Sequence, residues 1–186
     1  MLEGAIAYFT GWTSGLVGHS HLVAALIALV SGAWLLSARK GTRVHVAWGY
    51  SYVAAMVALN GTALAKYDLT GGFNAFHAGA LGSGLTLAAA FAAAMVYRRT
   101  RDLRAIAAHG QLMIWSYFGL VMALVAEVYT RAVPFMLHGE GGWGRFGAAL
   151  ALLAIASAIP TYLYARRERD RFLGPARRRA SADTLT

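Results

Sequence analysis

The sequence contains no cysteine, few prolines and little negative charge, and each of these shortages excludes a kind of chemistry or structure. Without cysteine there are no disulfides, no thiolate nucleophile and no cysteine-ligated metal, so histidine and carboxylate side chains must supply any ligand. Only 13% of the residues are charged, whereas soluble domains have roughly 25%. This composition excludes an ordinary soluble domain.

The sequence contains several long hydrophobic runs. The chain is 58% hydrophobic, with a mean hydropathy of +0.50. A helix needs about 20 apolar residues to cross a hydrocarbon core about 30 Å thick, and five runs reach that length without the alternation of a strand. They are residues 19–38, 44–65, 73–97, 107–131 and 145–165. We therefore expect an all-α polytopic membrane bundle of five transmembrane helices within residues 18–165.

The basic residues are concentrated in alternate connections between these spans. They follow the first, third and fifth spans and include Arg39, Lys40, Arg43, Arg98, Arg99, Arg101 and Arg104, with seven more arginines in the tail. The positive-inside rule then predicts an outer amino terminus and a cytoplasmic carboxyl terminus. We expect the protein to lie in the inner membrane of a bacterium. The net charge of +9 is then explained by contact with the lipid bilayer, and we expect no nucleic-acid partner.

The two ends of the chain differ from the spans. Residues 1–17 carry apolar side chains at helical spacing, which predicts a short segment on the outer leaflet, with a frayed terminus as the alternative. The segment has no features of a cleaved signal peptide. Residues 166–186 are basic and then rich in small polar residues, so we expect a cytoplasmic tail that is partly disordered.

Four histidines fall into two layers near the ends of the predicted spans. His45 and His109 begin two spans on the cytoplasmic side, and His21 and His77 begin two spans on the outer side. An ionisable residue is costly inside a membrane and marks a functional site by default. Two imidazoles on neighbouring helices can hold a haem iron from opposite sides. The layers predict two haem b sites, whereas the structural interpretation is hydrogen bonding to headgroups or loop carbonyls.

A weak internal repeat supports this arrangement. Spans one and two form a hairpin with an outer histidine, a basic turn and a second histidine, and spans three and four do the same. In both returning spans a Ser-Tyr pair follows the histidine by six or seven residues. Parallel repeats of this kind can build a central site. The pattern predicts a four-helix core made of two hairpins, with the fifth helix appended.

Further residues complete the predicted inner site. Gly49 and Met113 each lie four residues after an inner-layer histidine and share its helix face. Small residues such as Gly49 would give a flat porphyrin room between helices. Arg43 and Arg104 lie where haem propionates would emerge on the cytoplasmic side. We include all four among the candidate cofactor-binding residues.

The outer layer leaves two questions open. His19 and His21 are two residues apart, about 200° around a helix, so only one faces a common interior, and His21 is favoured because it lies deeper. Glu127 lies on the face of helix four that also carries the inner histidine. It forms an ion pair with Arg131, accepts a hydrogen bond from Tyr129 or another neighbour, or joins His21 and His77 as the third ligand of a zinc, copper or non-haem iron site.

Part of the sequence resembles a known family. A Phe-His pair ending at His77, a helix of small residues, an arginine-rich turn, the motif from His109 to Met113 and the segment beginning at Tyr117 carry the likeness. Together they resemble a widespread family of bacterial multi-pass membrane proteins of unknown function, in which a histidine and a methionine four residues later begin a helix after a basic loop. The resemblance covers roughly residues 41–134.

The layout also resembles the transmembrane b-type cytochromes that hold two haems in a helical bundle. This likeness implies axial pairs of His45 with His109 and of His21 with His77. The leading hypothesis is a membrane-bound cytochrome that transfers electrons across the membrane, with a quinol or another small redox partner. The alternatives are a non-haem metal protein using the outer His/His/Glu site and a transporter or structural protein without a cofactor. Small-residue helix faces would permit a homodimer.

Overall fold

The described part of the chain is helical almost throughout. The computed structural model describes residues 15–66, 71–132 and 141–183, and none of these residues lies in a strand. Five helices follow one another, namely α1 (Gly15–Ser37), α2 (Arg43–Leu64), α3 (Ala75–Thr100), α4 (Leu103–Ala132) and α5 (Gly142–Asp183). The predicted all-α membrane bundle is confirmed.

Four of the five helices are both long and apolar enough to cross a membrane. The qualifying stretches are Gly15–Ser37, Ala75–Thr100, Leu103–Thr130 and Gly144–Arg171. Helix α2 has 22 residues and is about 33 Å long at 1.5 Å per residue, so its length is sufficient. Its composition is more polar because it includes Arg43, His45 and Asn60. The fifth span therefore stays a prediction for α2.

The turn between α1 and α2 is stabilised by side chains that cap both helices. Lys40 Nζ donates to the carbonyl oxygens of Leu35 and Leu36, at 2.6 and 2.9 Å, at the end of α1. Thr42 Oγ1 accepts from the backbone N–H of His45 at 3.1 Å and is the N-cap of α2. These bonds satisfy backbone groups that a helix end leaves without a partner in its own helix.

Two expectations about the ends of the chain need comment. Residues 1–14 of the predicted outer-leaflet segment lie outside the described residues, and α1 already begins at Gly15. In the structure α5 continues through the tail up to Asp183, and the expected partial disorder stays a prediction. Ion pairs one helical turn apart stabilise the extension. Glu168 pairs with Arg171 at 2.5 Å, and Asp170 lies 3.9 Å from Arg166.

Packing divides the chain into two compact units, Met1–Gly84 with Ala123–Ala132, and Leu85–Met122 with Val133–Thr186. In the first unit α1 packs against α2. Ala28 and Ser31 of α1 are completely buried. Tyr52 and Met56 of α2 are each only 1% exposed. Small residues on α1 let the two backbones approach closely, which is how helices associate in lipid.

The second unit contains small buried residues and a polar contact that joins α4 to α5. Ala90 of α3 and Ala165 of α5 are both completely buried. Gln111 Nε2 donates to the backbone carbonyl of Ala165 and so joins α4 to α5. A hydrogen bond therefore links the appended fifth helix to α4, the helix that carries His109.

Candidate histidine sites

His21 makes a polar contact that joins α1 to α2. Its Nδ1 lies 2.9 Å from Thr62 Oγ1, 41 residues away in the sequence, and both side chains are half-buried. The Thr62 hydroxyl also lies 2.8 and 2.9 Å from two carbonyl oxygens of its own helix, those of Ala58 and Leu59. When the single hydroxyl hydrogen is on these carbonyls, which only accept, the hydroxyl oxygen is the acceptor for His21 and His21 donates its Nδ1–H. In the neutral ring, the lone pair is then on Nε2.

His109 has the same protonation pattern with a different acceptor. Its Nδ1 lies 2.9 Å from the backbone carbonyl oxygen of Ala90 on α3, and the ring is half-buried. A carbonyl oxygen only accepts hydrogen bonds, so His109 must donate Nδ1–H and keep its lone pair on Nε2. Metal-ligating histidines almost always make this kind of bond, because it fixes the tautomer and the orientation of the ring.

His77 makes the opposite contact. Its side chain is buried, and its Nδ1 accepts from the backbone N–H of Asn74 at 3.2 Å. Asn74 Oδ1 in turn accepts from the backbone N–H of Phe76 at 2.9 Å, and the Phe73 ring centre lies 5.3 Å from the ring centre of His77. The neutral ring then carries its hydrogen on Nε2. In this geometry His77 helps to close the first turn of α3.

The two histidines at the start of α1 differ in burial. His19 is exposed, and its Nδ1 donates to the carbonyl oxygen of Gly15 in its own helix at 2.7 Å. His21 is the half-buried member of the pair and reaches a neighbouring helix. The geometry distinguishes them in the direction that the depth argument predicts.

His45 lies in the first turn of α2 and is half-buried. Its backbone N–H is held by the N-cap Thr42, which places the imidazole at the start of the helix. His45 belongs to the first compact unit, whereas His109 belongs to the second. The predicted pairing of these two residues therefore stays a prediction.

The remaining candidates lie in the first halves of α2 and α4. Gly49 and Met113 are half-buried, and a Cβ added at Gly49 would meet open space. Arg43 and Arg104 are exposed in the first turns of α2 and α4, and the backbone N–H of Arg104 is capped by Asp102 at 2.8 Å. Exposed guanidinium groups at these positions can pair with an anionic group.

The alternative three-ligand site is not assembled. Across residues 15–66, 71–132 and 141–183, no group of three or more His, Asp or Glu side chains is placed to hold a metal ion. His21, His77 and Glu127 all lie within these described ranges. Glu127 is half-buried in the first unit, and its backbone carbonyl accepts from the Thr130 hydroxyl at 3.0 Å.

Sequence reasoning missed Thr62, although a signal for it was present. In an antiparallel hairpin, residues at equal distances from the turn lie at the same depth. His21 is 20 residues before Gly41, and Thr62 is 21 residues after it. The stacked rings of Trp34 and Trp48, with centroids 5.2 Å apart, follow the same register. A polar partner for His21 could have been sought at that depth on the second helix.

Comparison with known proteins places the chain in a family. The model of a family described as predicted membrane protein (DUF2306) matches residues 18–166. The chain belongs to the DUF2306 family. The DUF2306 match covers α1 to α4 and most of α5, including all four layered histidines, and it confirms the resemblance to a family of multi-pass membrane proteins of unknown function. No curated protein and no solved structure matches this DUF2306 chain.

Proposed function

We propose that this DUF2306 protein is a membrane-bound b-type cytochrome that transfers electrons across the bilayer between two bis-histidine haems. The observation that carries the proposal is the shared geometry of His21 and His109. Each ring donates Nδ1–H to an oxygen of a neighbouring helix, at 2.9 Å in both cases. In each neutral ring the lone pair is then on Nε2, the nitrogen that would ligate iron.

For the inner site the sequence pattern predicts His45 and His109 as ligands, and each is positioned within its own unit. The bond from His109 to the Ala90 carbonyl orients its ring and fixes the tautomer with the lone pair on Nε2. The N-cap Thr42 holds the first turn of α2, on which His45 is carried. Arg43 and Arg104 would pair with propionate carboxylates from their exposed positions. A bound haem supplies one-electron chemistry, because its iron alternates between the ferric and ferrous states.

The outer site would be formed by His21 and His77, whose rings start from different tautomers. His21 already has its lone pair on Nε2, because Nδ1–H is donated to Thr62. Ligation through Nε2 of His77 requires the ring to exchange its bond from the Asn74 N–H for a hydrogen on Nδ1. The outer site therefore needs a local rearrangement at the start of α3 that the inner histidine does not need.

The proposal includes a membrane orientation and a redox partner. The arginines in the α1–α2 turn, around the α3–α4 turn and in the last part of α5 favour the cytoplasmic side of a bacterial inner membrane, so His45 and His109 belong to the inner layer. A quinol or another small reductant would supply electrons at one face.

Absorption spectroscopy of the purified protein tests the function directly. Protein from haem-replete cells should show a Soret band that shifts on dithionite reduction, with two haems per chain. His45→Ala and His77→Ala should each remove about one haem equivalent and leave the other. His19→Ala is the matched control, because His19 is exposed and its Nδ1 donates to the carbonyl oxygen of Gly15 in its own helix. It should leave both haems.

Three outcomes would contradict the proposal. A colourless preparation would exclude a cytochrome. Loss of both haems or of neither in the single variants would contradict the two-layer assignment. One zinc or copper ion per chain that disappears in Glu127→Ala, as shown by elemental analysis, would favour the three-ligand alternative instead.

A further inference from the structure

We propose that Thr62 is the positioning residue of the outer site. Its hydroxyl oxygen accepts the Nδ1 hydrogen of His21 and holds the ring in the tautomer whose Nε2 can bind a metal or haem iron. The role in ligation rests on the proposed function. The tautomer itself is a property of the chain and can be measured without a cofactor.

The local geometry makes Thr62 an acceptor in one direction only. Its hydroxyl hydrogen is shared between the carbonyl oxygens of Ala58 and Leu59, at 2.8 and 2.9 Å, on the preceding turn of α2. This back-bond leaves the oxygen lone pairs on the side away from those carbonyls. His21 Nδ1 lies there at 2.9 Å, a normal hydrogen-bond distance. A hydroxyl oriented by its own helix cannot donate to the ring at the same time.

The position of the pair makes the contact matter more than it would at a wet surface. Both side chains are half-buried between α1 and α2, and both helices lie in the same compact unit. Polar groups away from water lose free energy unless they are hydrogen-bonded, so the ring is held by its partner. Threonine also has few rotamers in a helix, because its side chain is β-branched.

The two layers differ in what positions their histidines. His109 uses the backbone carbonyl of Ala90, which no side-chain substitution removes. His21 uses a side chain, so the outer site can be altered by a single mutation at position 62. Hydrogen-bond partners of metal ligands typically contribute 10–100-fold to metal affinity. We expect a loss of that size at the outer site alone when the hydroxyl is removed.

The experiment compares Thr62→Val, which keeps the shape and removes the hydroxyl, with Thr62→Ser, which keeps the hydroxyl. Thr161→Val is the matched control, because Thr161 on α5 makes the same back-bond, 2.8 Å to the carbonyl of Ser157. Nitrogen NMR of the histidine rings in the haem-free, detergent-solubilised full chain is the first readout. His21 should show its hydrogen on Nδ1 in the wild type, in Thr62→Ser and in Thr161→Val, but a mixture of tautomers in Thr62→Val.

Haem titration is the second readout. Thr62→Val should bind the outer haem about 10–100-fold more weakly and raise its reduction potential, because the ligand becomes less basic, while the inner haem is unchanged. Unaltered His21 nitrogen signals in Thr62→Val would overturn the inference, and so would a wild-type His21 that carries its hydrogen on Nε2, a measurement that needs no variant. If the NMR result holds and no haem binds, the cytochrome proposal fails and the tautomer assignment stands.

Discussion

Truncation of Met56 tests how α1 and α2 associate. Met56 of α2 is 1% exposed, and α2 packs against α1, in which Ala28 and Ser31 are completely buried. Val57 is the next residue along the same helix and is 61% exposed. Met56→Ala should therefore weaken the interface between the helices, whereas Val57→Ala removes apolar atoms that face lipid or detergent.

The magnitude follows from separating two contributions. In a water-soluble core, replacing a buried methionine by alanine costs about 2–5 kcal/mol, which includes both transfer and cavity terms. Roughly three groups are deleted, and at about 0.8 kcal/mol each the transfer from water accounts for about 2.4 kcal/mol. Separated helices in a membrane keep Met56 in an apolar solvent, so the transfer term is absent. Subtracting the transfer term leaves at most about 2.6 kcal/mol for the lost packing, and because Met56 is fully buried we expect about 1–2.5 kcal/mol for Met56→Ala. Val57→Ala should stay within about 0.5 kcal/mol.

Equilibrium unfolding in mixed micelles measures both values. The stacked rings of Trp34 and Trp48 join the same two helices. The part of the tryptophan fluorescence change that is lost in the Trp48→Phe variant therefore reports the separation of α1 from α2. Equal destabilisation by the two truncations would refute the reasoning. An effect of Met56→Ala below about 0.5 kcal/mol would show that the α1–α2 interface is not packed as described.

Two further predictions concern contacts that position the candidate sites. Thr42→Ala removes the N-cap of α2 and should lower stability by about 0.5–2 kcal/mol, with Thr42→Ser close to wild type, as measured by thermal unfolding followed by circular dichroism; an equal loss in both variants would contradict the capping role. Asn60→Leu removes the 3.3 Å bond from Nδ2 to Ser83 Oγ between α2 and α3 and should cost about 0.6 kcal/mol, at most about 1.7. A double-mutant cycle with Ser83→Ala measures that coupling, and additive effects would exclude it.

Much of the fold could be predicted because lipid imposes strong rules on a sequence. In a membrane the backbone must satisfy its own hydrogen bonds, so long apolar runs become helices. The extension of the fifth helix beyond residue 165 was not predicted, since the arginines and small residues of the tail indicated disorder. In the structure Glu168 and Asp170 pair with arginines one turn away and support a helix up to Asp183.

The candidate sites were predictable in part. The layered histidines are visible in the sequence because they fall at the ends of apolar runs. Their hydrogen bonds are not visible, because each depends on a partner in another helix or on the local turn. His21 and His77 are equivalent in the sequence pattern, yet one donates from Nδ1 to Thr62 and the other accepts at Nδ1 from Asn74.

The sequence by itself determined the helices, the solvent and the residue types that can serve as ligands, because hydrophobicity and helix length act locally along the chain. Only the tertiary structure decided the hydrogen-bond partners of the His21, His77 and His109 rings. That choice depends on the register and rotation of neighbouring helices, which place Thr62 beside His21 across 41 residues and the Ala90 carbonyl beside His109 across 19. Small shifts in packing would change both partners without altering a single apolar run.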